Sequence, residues 1–383
     1  MDLYVLMNKN NPLCDISLKD GEVVNVQRTR VDYIDLFPPA LAKCVEKGLT
    51  CVEVNGWITN RHLPKTRYGI QKFLWDNEDL TLPSLVEQTL GVNLSDHYWL
   101  NPSGSLEWTD VAFFVNSFLP DFGDYLMQRR ITCGSQMSPD VCTVGSTMKW
   151  WGTESGCHIL YKGADKPGES QTYMPVREVF ASKVLEILLQ QLYNGSIFIP
   201  NSDFHKNKFG LYSKLPCFVD VDTEYVSFNA LLRRYGRFGD ESMFNHIQRL
   251  YGKYASILHT QILLDFLLLN EDRHTTNFGL IRCVDTGEYL RPAPIFANGR
   301  TLYYNTDVIN HRYVESKPFN TSHKEQLKLI SVKKHRDVLE ILSECIGDLF
   351  DEVFEQSEES LDRKCLIRKD LLDRLHLLLK IKS

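Results

Sequence analysis

Leu267-Leu-Leu-Asn-Glu-Asp-Arg-His-Thr-Thr-Asn-Phe-Gly-Leu280 runs from a long apolar segment into a dense polar cluster and on into a short apolar strand. Polar side chains crowded at the end of a buried helix need partners or a task, because each one left unpaired costs free energy on burial. Asp272 and Asn277 stand five residues apart. That spacing suits phosphoryl transfer, in which a carboxylate accepts the proton of the attacking hydroxyl and an amide oxygen further along the loop ligates magnesium. His274 lies between them, placed to orient the loop or a phosphate. Taken alone the pair has a plainer account: Asp272 ends the helix and His274 is a satisfied loop histidine.

The residues upstream change that weight. Lys162 closes the apolar strand Cys157-His-Ile-Leu-Tyr-Lys162, and Glu178 follows sixteen residues later inside the next amphipathic segment. A strand lysine paired with a helix glutamate is the arrangement that holds α- and β-phosphates in kinases. Each residue by itself reads as a solvated strand end or a surface helix position. Ahead of them, Val144-Gly-Ser-Thr-Met-Lys149 is a turn whose amides at Gly145, Ser146 and Thr147 suit phosphate oxygens. One glycine is a weak signal; the order of turn, lysine, glutamate and Asp-x4-Asn is the stronger one.

Further out, the first residues read as strands at Leu3–Met7, Cys14–Leu18 and Glu22–Val26, with Asp20-Gly21 as a hairpin turn. Helical pieces are expected at Leu41–Lys47, Leu82–Leu90 and Trp108–Phe118. From about residue 140 the pattern gives strands at Thr143–Trp151 and His158–Lys162, joined by a turn at Gly152–Gly156. A helix follows over Val176–Tyr193, apolar at Val176, Val179, Phe180, Val184, Leu185 and Leu188. Strands are expected at Phe209–Tyr212, Cys217–Val221 and Leu280–Val284, the last followed by Tyr289-Leu290. Helices are expected at Glu241–Tyr251, Ala255–Leu269, Lys324–Ile330, Val338–Phe354 and Ile367–Ile381. The class is α+β, with a small β-rich lobe followed by a helical lobe and preceded by a small α/β module. No repeat or low-complexity linker marks the joints, so we divide the chain at 1–130, 131–228 and 229–383.

With 383 residues, 43% hydrophobic and 24% charged, the chain is an ordinary globular one. Its 49 acids against 43 Lys and Arg argue against a nucleic-acid groove as the main task, since phosphate neutralisation needs a basic face. The longest apolar run, Ile262–Leu269, is broken by Asp265, so no membrane span is expected. The start, MDLYVLMNKN, has an early acid and no basic segment and does not read as a signal peptide. The expectation is therefore a cytoplasmic protein. Its ten cysteines contain no C-x-x-C and are expected to be free thiols, not zinc ligands. Asp121-Phe-Gly123 looks like the kinase metal motif but precedes Lys162, out of order for that role, and is read as a turn. The acidic run Asp351–Glu359 is read as a solvated helix face and junction.

Asn270-Glu-Asp-Arg-His-Thr-Thr-Asn-Phe-Gly279 followed by Ala293-Pro-Ile-Phe-Ala-Asn-Gly299 resembles the HipA-like serine/threonine kinases, whose loop reads N-x-D-x-H-x-x-N and then A-P-x-F/Y-D. The resemblance covers roughly residues 140–375 and is most specific at the catalytic loop. It implies a bilobal protein-kinase-like fold that uses ATP and Mg2+ to phosphorylate a protein Ser/Thr. It makes Asp272 the catalytic base, Lys162 the phosphate lysine, Glu178 its partner and Asn277 a magnesium ligand. Gly145, Ser146 and Thr147 fall in the phosphate loop, and Ser146 is by position a candidate for autophosphorylation. The adenine hinge falls near Cys217–Val221. Relatives include growth-arrest toxins, so an antitoxin partner is an expectation too.

One position departs from the pattern. Where the family has a metal-binding Asp, this chain has Ala297. If the lost carboxylate costs roughly 4 kcal/mol of transition-state stabilisation, the rate falls about a thousandfold. The resemblance therefore implies a chain without transfer activity, either through an engineered Asp→Ala change or as a natural pseudokinase. Retention of Lys162, Asp272 and Asn277 together favours an engineered change, or a very recent loss, because a site long out of use has no physical reason to keep them. Two further readings compete with the protein kinase. One is a nucleotide-binding interaction module. The other is a small-molecule kinase, for which a deep acidic cleft would suit an amino-sugar.

Overall fold

The computed structural model describes residues 2–102, 104–118, 138–165, 173–193, 201–236, 239–306 and 315–381. The chain separates into two compact units. The first comprises Met1–Tyr161, Val219–Gly236 and Leu280–Arg291; the second comprises Lys162–Phe218, Arg237–Gly279 and Pro292–Ser383. The expected boundary at 130–131 and the Asp121-Phe-Gly123 segment lie outside the described residues.

The first unit is built on a four-stranded antiparallel sheet. Its strand order is Glu22–Gln27, Asn11–Lys19, Asp2–Asn8 and Tyr98–Pro102. Asp20-Gly21 makes the expected two-residue turn, with Lys19 paired to Glu22. Leu6 sits between Cys14 on one side and Leu100 on the other. These residues join Ile16, Leu41, Phe73 and Leu85 in one buried core, so the apolar face of the sheet is covered by the short helices that follow it. Strands Lys149–Glu154 and Cys157–Lys162 are neighbours. A second small sheet in this unit orders Tyr289–Pro292, Gly279–Cys283 and Thr223–Ser227.

The second unit is mainly helical. Helix Tyr173–Tyr193 buries Val176, Val179, Phe180 and Val184 completely. Phe180 meets Phe350 and Phe354 of helix Arg336–Phe354 edge-on, with both ring centroids at 5.7 Å. Helix Ser256–Leu268 is buried on nearly every side, which explains why its sequence shows no polar stripe. Strands Asp203–Asn207 and Gly210–Pro216 form a hairpin. Helix Leu361–Lys380 closes the unit.

Several elements differ from expectation. The helix expected over Trp108–Phe118 is one turn, Trp108–Val111, and Ala112 is extended. The Asn116 amide bonds the carbonyls of Thr109 and Ala112 and so folds the segment back. The strand expected from Thr143 begins only at Lys149, because Arg67 captures the carbonyls of Thr143, Gly145 and Lys149. Gly152 lies inside that strand, not in the turn, and the Tyr161 ring packs where a Cβ would point. Cys217–Val221 is not a strand: the Asp220 side chain bonds the Asp222 amide and the Thr223 hydroxyl, and the strand starts at Thr223. Helices Cys51–Thr59, Ile70–Asp76 and Phe228–Tyr235 were not expected, nor were strands Tyr98–Pro102 and Asp203–Asn207. Cys51–Thr59 carries Val52, Val54, Gly56, Ile58 and Thr59, all poor helix formers; the Thr50–Glu53 capping box and the burial of Val54 and Ile58 hold it.

Candidate active site

Helix Ser256–Leu268 stops at Leu269, whose φ of +53° is left-handed, and its amide returns to the Asp265 carbonyl. The chain then enters the polar loop. Asn270 is fully buried, accepts the Asp272 amide on its side chain and offers its carbonyl to His323. These bonds fix the approach to Asp272.

Arg273 is the organiser of the loop. It is fully buried and makes bonds of 3.0 and 2.8 Å to the Asp265 carboxylate. Its Nη1 donates to the Phe296 carbonyl, and Nη2 donates also to the Asn298 side-chain oxygen. The acid that interrupts the apolar run is thus the counter-charge of a buried guanidinium, which in turn pins residues 296–298. Sequence reasoning missed Arg273, although an isolated acid in an apolar helix was the available signal.

Lys162 and Glu178 meet at 2.6 Å. Glu178 also accepts the Asn298 amide at 3.1 Å and the Gly299 amide at 2.9 Å. Burial works to raise its pKa, but Lys162, the Asn298 amide and Arg273 outweigh it and hold the carboxyl below its ordinary value. A Cβ on Gly299 would stand 3.3 Å from both Glu178 Oε2 and the Met174 carbonyl, a tight contact that would push them back by a few tenths of an ångström. Arg177, next to Glu178, is also fully buried; it bonds Glu359 at 2.7 Å and the carbonyls of Thr301 and Leu302.

Asp272 is held on both oxygens. Arg300 reaches Oδ2 at 3.0 Å and Lys317 reaches Oδ1 at 3.2 Å. Arg300 also bonds both oxygens of Asp165, at 3.0 and 3.1 Å. Asn277 donates its amide to the Asp272 carbonyl and to His274 Nε2, each at 3.1 Å, which leaves Oδ1 as its atom for a cation. His274 Nε2 therefore accepts, and Nδ1 faces the Thr276 hydroxyl. Burial first, then the charges of Lys317, Arg273 and Arg300, lower the His274 pKa against the pull of Asp272, so the ring is neutral near pH 7.

Ala297 lies between the two residues that Arg273 holds, at φ +61°. Asp and Asn adopt that backbone more readily than Ala.

The glycine turn belongs to the first unit. Gly145 has φ +103°, and Lys149 folds over it to bond the Val144 carbonyl at 3.0 Å. The Arg67 guanidinium beneath takes the Gly145 carbonyl at 2.7 Å. Burial brings the Arg67 pKa down to about 10, only partly offset by Asp140, so it stays charged. Ser146 and Thr147 lie in the same loop. The expected hinge, Cys217–Val221, spans the point where the chain passes from the second unit to the first. Among the described residues no helix is long and apolar enough to cross a membrane, and the described cysteines are free thiols.

No family model matches the sequence, and no curated protein matches it. Solved structures do. The chain has the fold of the HipA-like kinases, a mixed α/β architecture with several small sheets. HipA of Shewanella oneidensis MR-1, from the toxin–antitoxin complex of HipA, HipB and operator DNA, aligns at a TM-score of 0.58 and 11% identity, over 99% of this chain and 100% of that one. The proinflammatory kinase CtkA of Helicobacter pylori aligns at a TM-score of 0.47 and 19% identity, over 62% of this chain and 94% of that one.

Proposed function

We propose that this chain is the scaffold of an ATP-dependent protein serine/threonine kinase whose transfer step is disabled by Ala297. The observation that carries the reading is the buried Lys162–Glu178 pair, locked by the amides of Asn298 and Gly299. A lysine held this way presents a fixed positive charge to the phosphates of a nucleotide. In the transfer the substrate hydroxyl forms the new P–O bond, the bond to the ADP oxygen breaks, and the hydroxyl proton passes to Asp272. A substrate hydroxyl must first displace Lys317 or Arg300 from that carboxylate.

Magnesium would neutralise the developing charge, but the described residues do not fit it. Ala297 has no ligand atom, both Asp272 oxygens are taken by cations, and Asn277 contributes a single amide oxygen. Magnesium sites ordinarily include one or two carboxylates. A second reading, a nucleotide-binding pseudokinase, rests on the same facts. The complex of HipA with HipB supports an antitoxin partner as a further part of the proposal. Ser146 stays a candidate autophosphorylation site by position.

The test is γ-phosphate transfer from ATP with magnesium, for this chain and for Ala297→Asp, read by intact mass and by labelling of extract proteins. Phosphate on the Asp form alone supports the kinase. Nucleotide binding without transfer by either form favours the pseudokinase.

A further inference from the structure

Arg300 is the residue whose position the kinase scheme leaves unexplained. It follows Gly299, whose amide holds Glu178, and Glu178 holds Lys162. Its guanidinium then crosses to Asp272 and Asp165. One continuous set of bonds therefore runs from Lys162 through Glu178 and Gly299 to Arg300, Asp272 and Lys317. It brings three cationic side chains to the ground where a nucleotide's phosphates and their metal would be expected. Among the described residues the same ground offers a divalent ion one amide oxygen, from Asn277, and no carboxylate that is not already paired with a cation.

We infer that this chain binds a nucleoside triphosphate in its metal-free form, with the Arg300 guanidinium, assisted by Lys317, in place of the divalent cation. The inference rests on the nucleotide reading above and adds the form of the ligand. Guanidinium matches phosphate oxygens two at a time, and here it comes already fixed to the chain, whereas a divalent ion would have to compete with Arg300 and Lys317 for the carboxylate oxygens of Asp272 and Asp165. Arg300 is a quarter exposed and both its carboxylate partners are more than a fifth exposed, so those ion pairs are in reach of solvent and exchange readily for phosphate. On exchange Asp272 keeps Lys317 at 3.2 Å and is not left bare. A metal-bound triphosphate would bring a second cation against Arg300 and Lys317 and is the weaker ligand.

The experiment is calorimetric titration of the full chain with ATP, in excess EDTA and in excess magnesium. This chain binds in EDTA at least as tightly as in magnesium. Arg300→Gln weakens binding in EDTA about tenfold, equivalent to about 1.4 kcal/mol, and Arg300→Lys recovers part of it. Thermal melting of each variant confirms folding. In Ala297→Asp the preference turns toward magnesium. Binding that requires magnesium in the unaltered chain overturns the inference and leaves the nucleotide reading standing. Equal binding by Arg300→Gln in EDTA overturns the assignment to Arg300. Absence of binding under both conditions overturns the nucleotide reading itself, and this inference with it.

Discussion

Ala297 carries a backbone that a residue with a Cβ occupies at a cost of about 1–2 kcal/mol. The carbonyl before it and the side chain after it are both held by Arg273, so the strain cannot relax locally. Ala297→Gly should raise stability by about 1 kcal/mol in urea unfolding, partly offset by the freer unfolded chain. A fall in stability would mean that the left-handed turn is not under strain. The Asp265–Arg273 pair sets a second expectation. Arg273→Met leaves a buried carboxylate alone and should cost roughly 3–5 kcal/mol. Adding Asp265→Leu to it should recover part of that loss, which a double-mutant cycle measures directly.

At the scale of elements, the segment before Lys149 stays out of the sheet because three carbonyls turn to Arg67. Carbonyls drawn to one side leave amides on the other, which is the disposition a phosphate loop uses. Arg67→Ala should free Thr143–Lys149 to fluctuate, at a cost of about 1–3 kcal/mol. Amide hydrogen exchange across 143–149 should speed up, while the sheet of the first strands keeps its protection. Helix Tyr173–Tyr193 packs along its apolar side, and one arginine sets its end near the site. Arg177 ties it to Glu359 and to the carbonyls after Arg300, which fixes the height of Glu178 in the site. Glu359, read from the sequence as part of a solvated acidic run, is buried and paired with two arginines. The sequence shows only that acids cluster there; which of them turns inward depends on residues far away in the chain.

For the molecule as a whole, the histidines are the first groups to respond as the pH falls below neutrality, ahead of paired carboxyls such as Glu178 and Glu359. Burial pushes the His97 pKa down to about 4, with Asp96 opposing, and also lowers those of His158, His259, His274, His323 and His335. A folded-state pKa below the unfolded one means that the unfolded chain binds protons first. Stability from these groups is therefore complete above about pH 6.5 and falls as the pH drops through the unfolded pKa toward the folded ones. Urea midpoints should be flat from pH 8 to 7 and decline steadily from about pH 6.5 to 4. His97→Phe should shallow that decline, since His97 already stacks on Phe114 at 4.6 Å and a phenyl ring keeps the stack without the proton. An unchanged slope would assign the acid sensitivity to the other histidines or to the paired carboxyls.

The polar loop after Leu269, the Lys162–Glu178 spacing and the long helices were legible in order along the chain, because local pattern and residue chemistry report directly on amphipathic helices, turns and polar clusters. The fold class was legible for the same reason. The helix Cys51–Thr59 was not, since its residues disfavour helix and its stability comes from a cap and a core. Nor were the partners of Asp272. Arg300 and Lys317 lie 28 and 45 residues further on and reach it only once the second unit has folded. Local sequence carries periodicity and chemical type; the pairing of charges across long separations is set by packing, because each buried charge takes whichever partner the packed elements bring within reach.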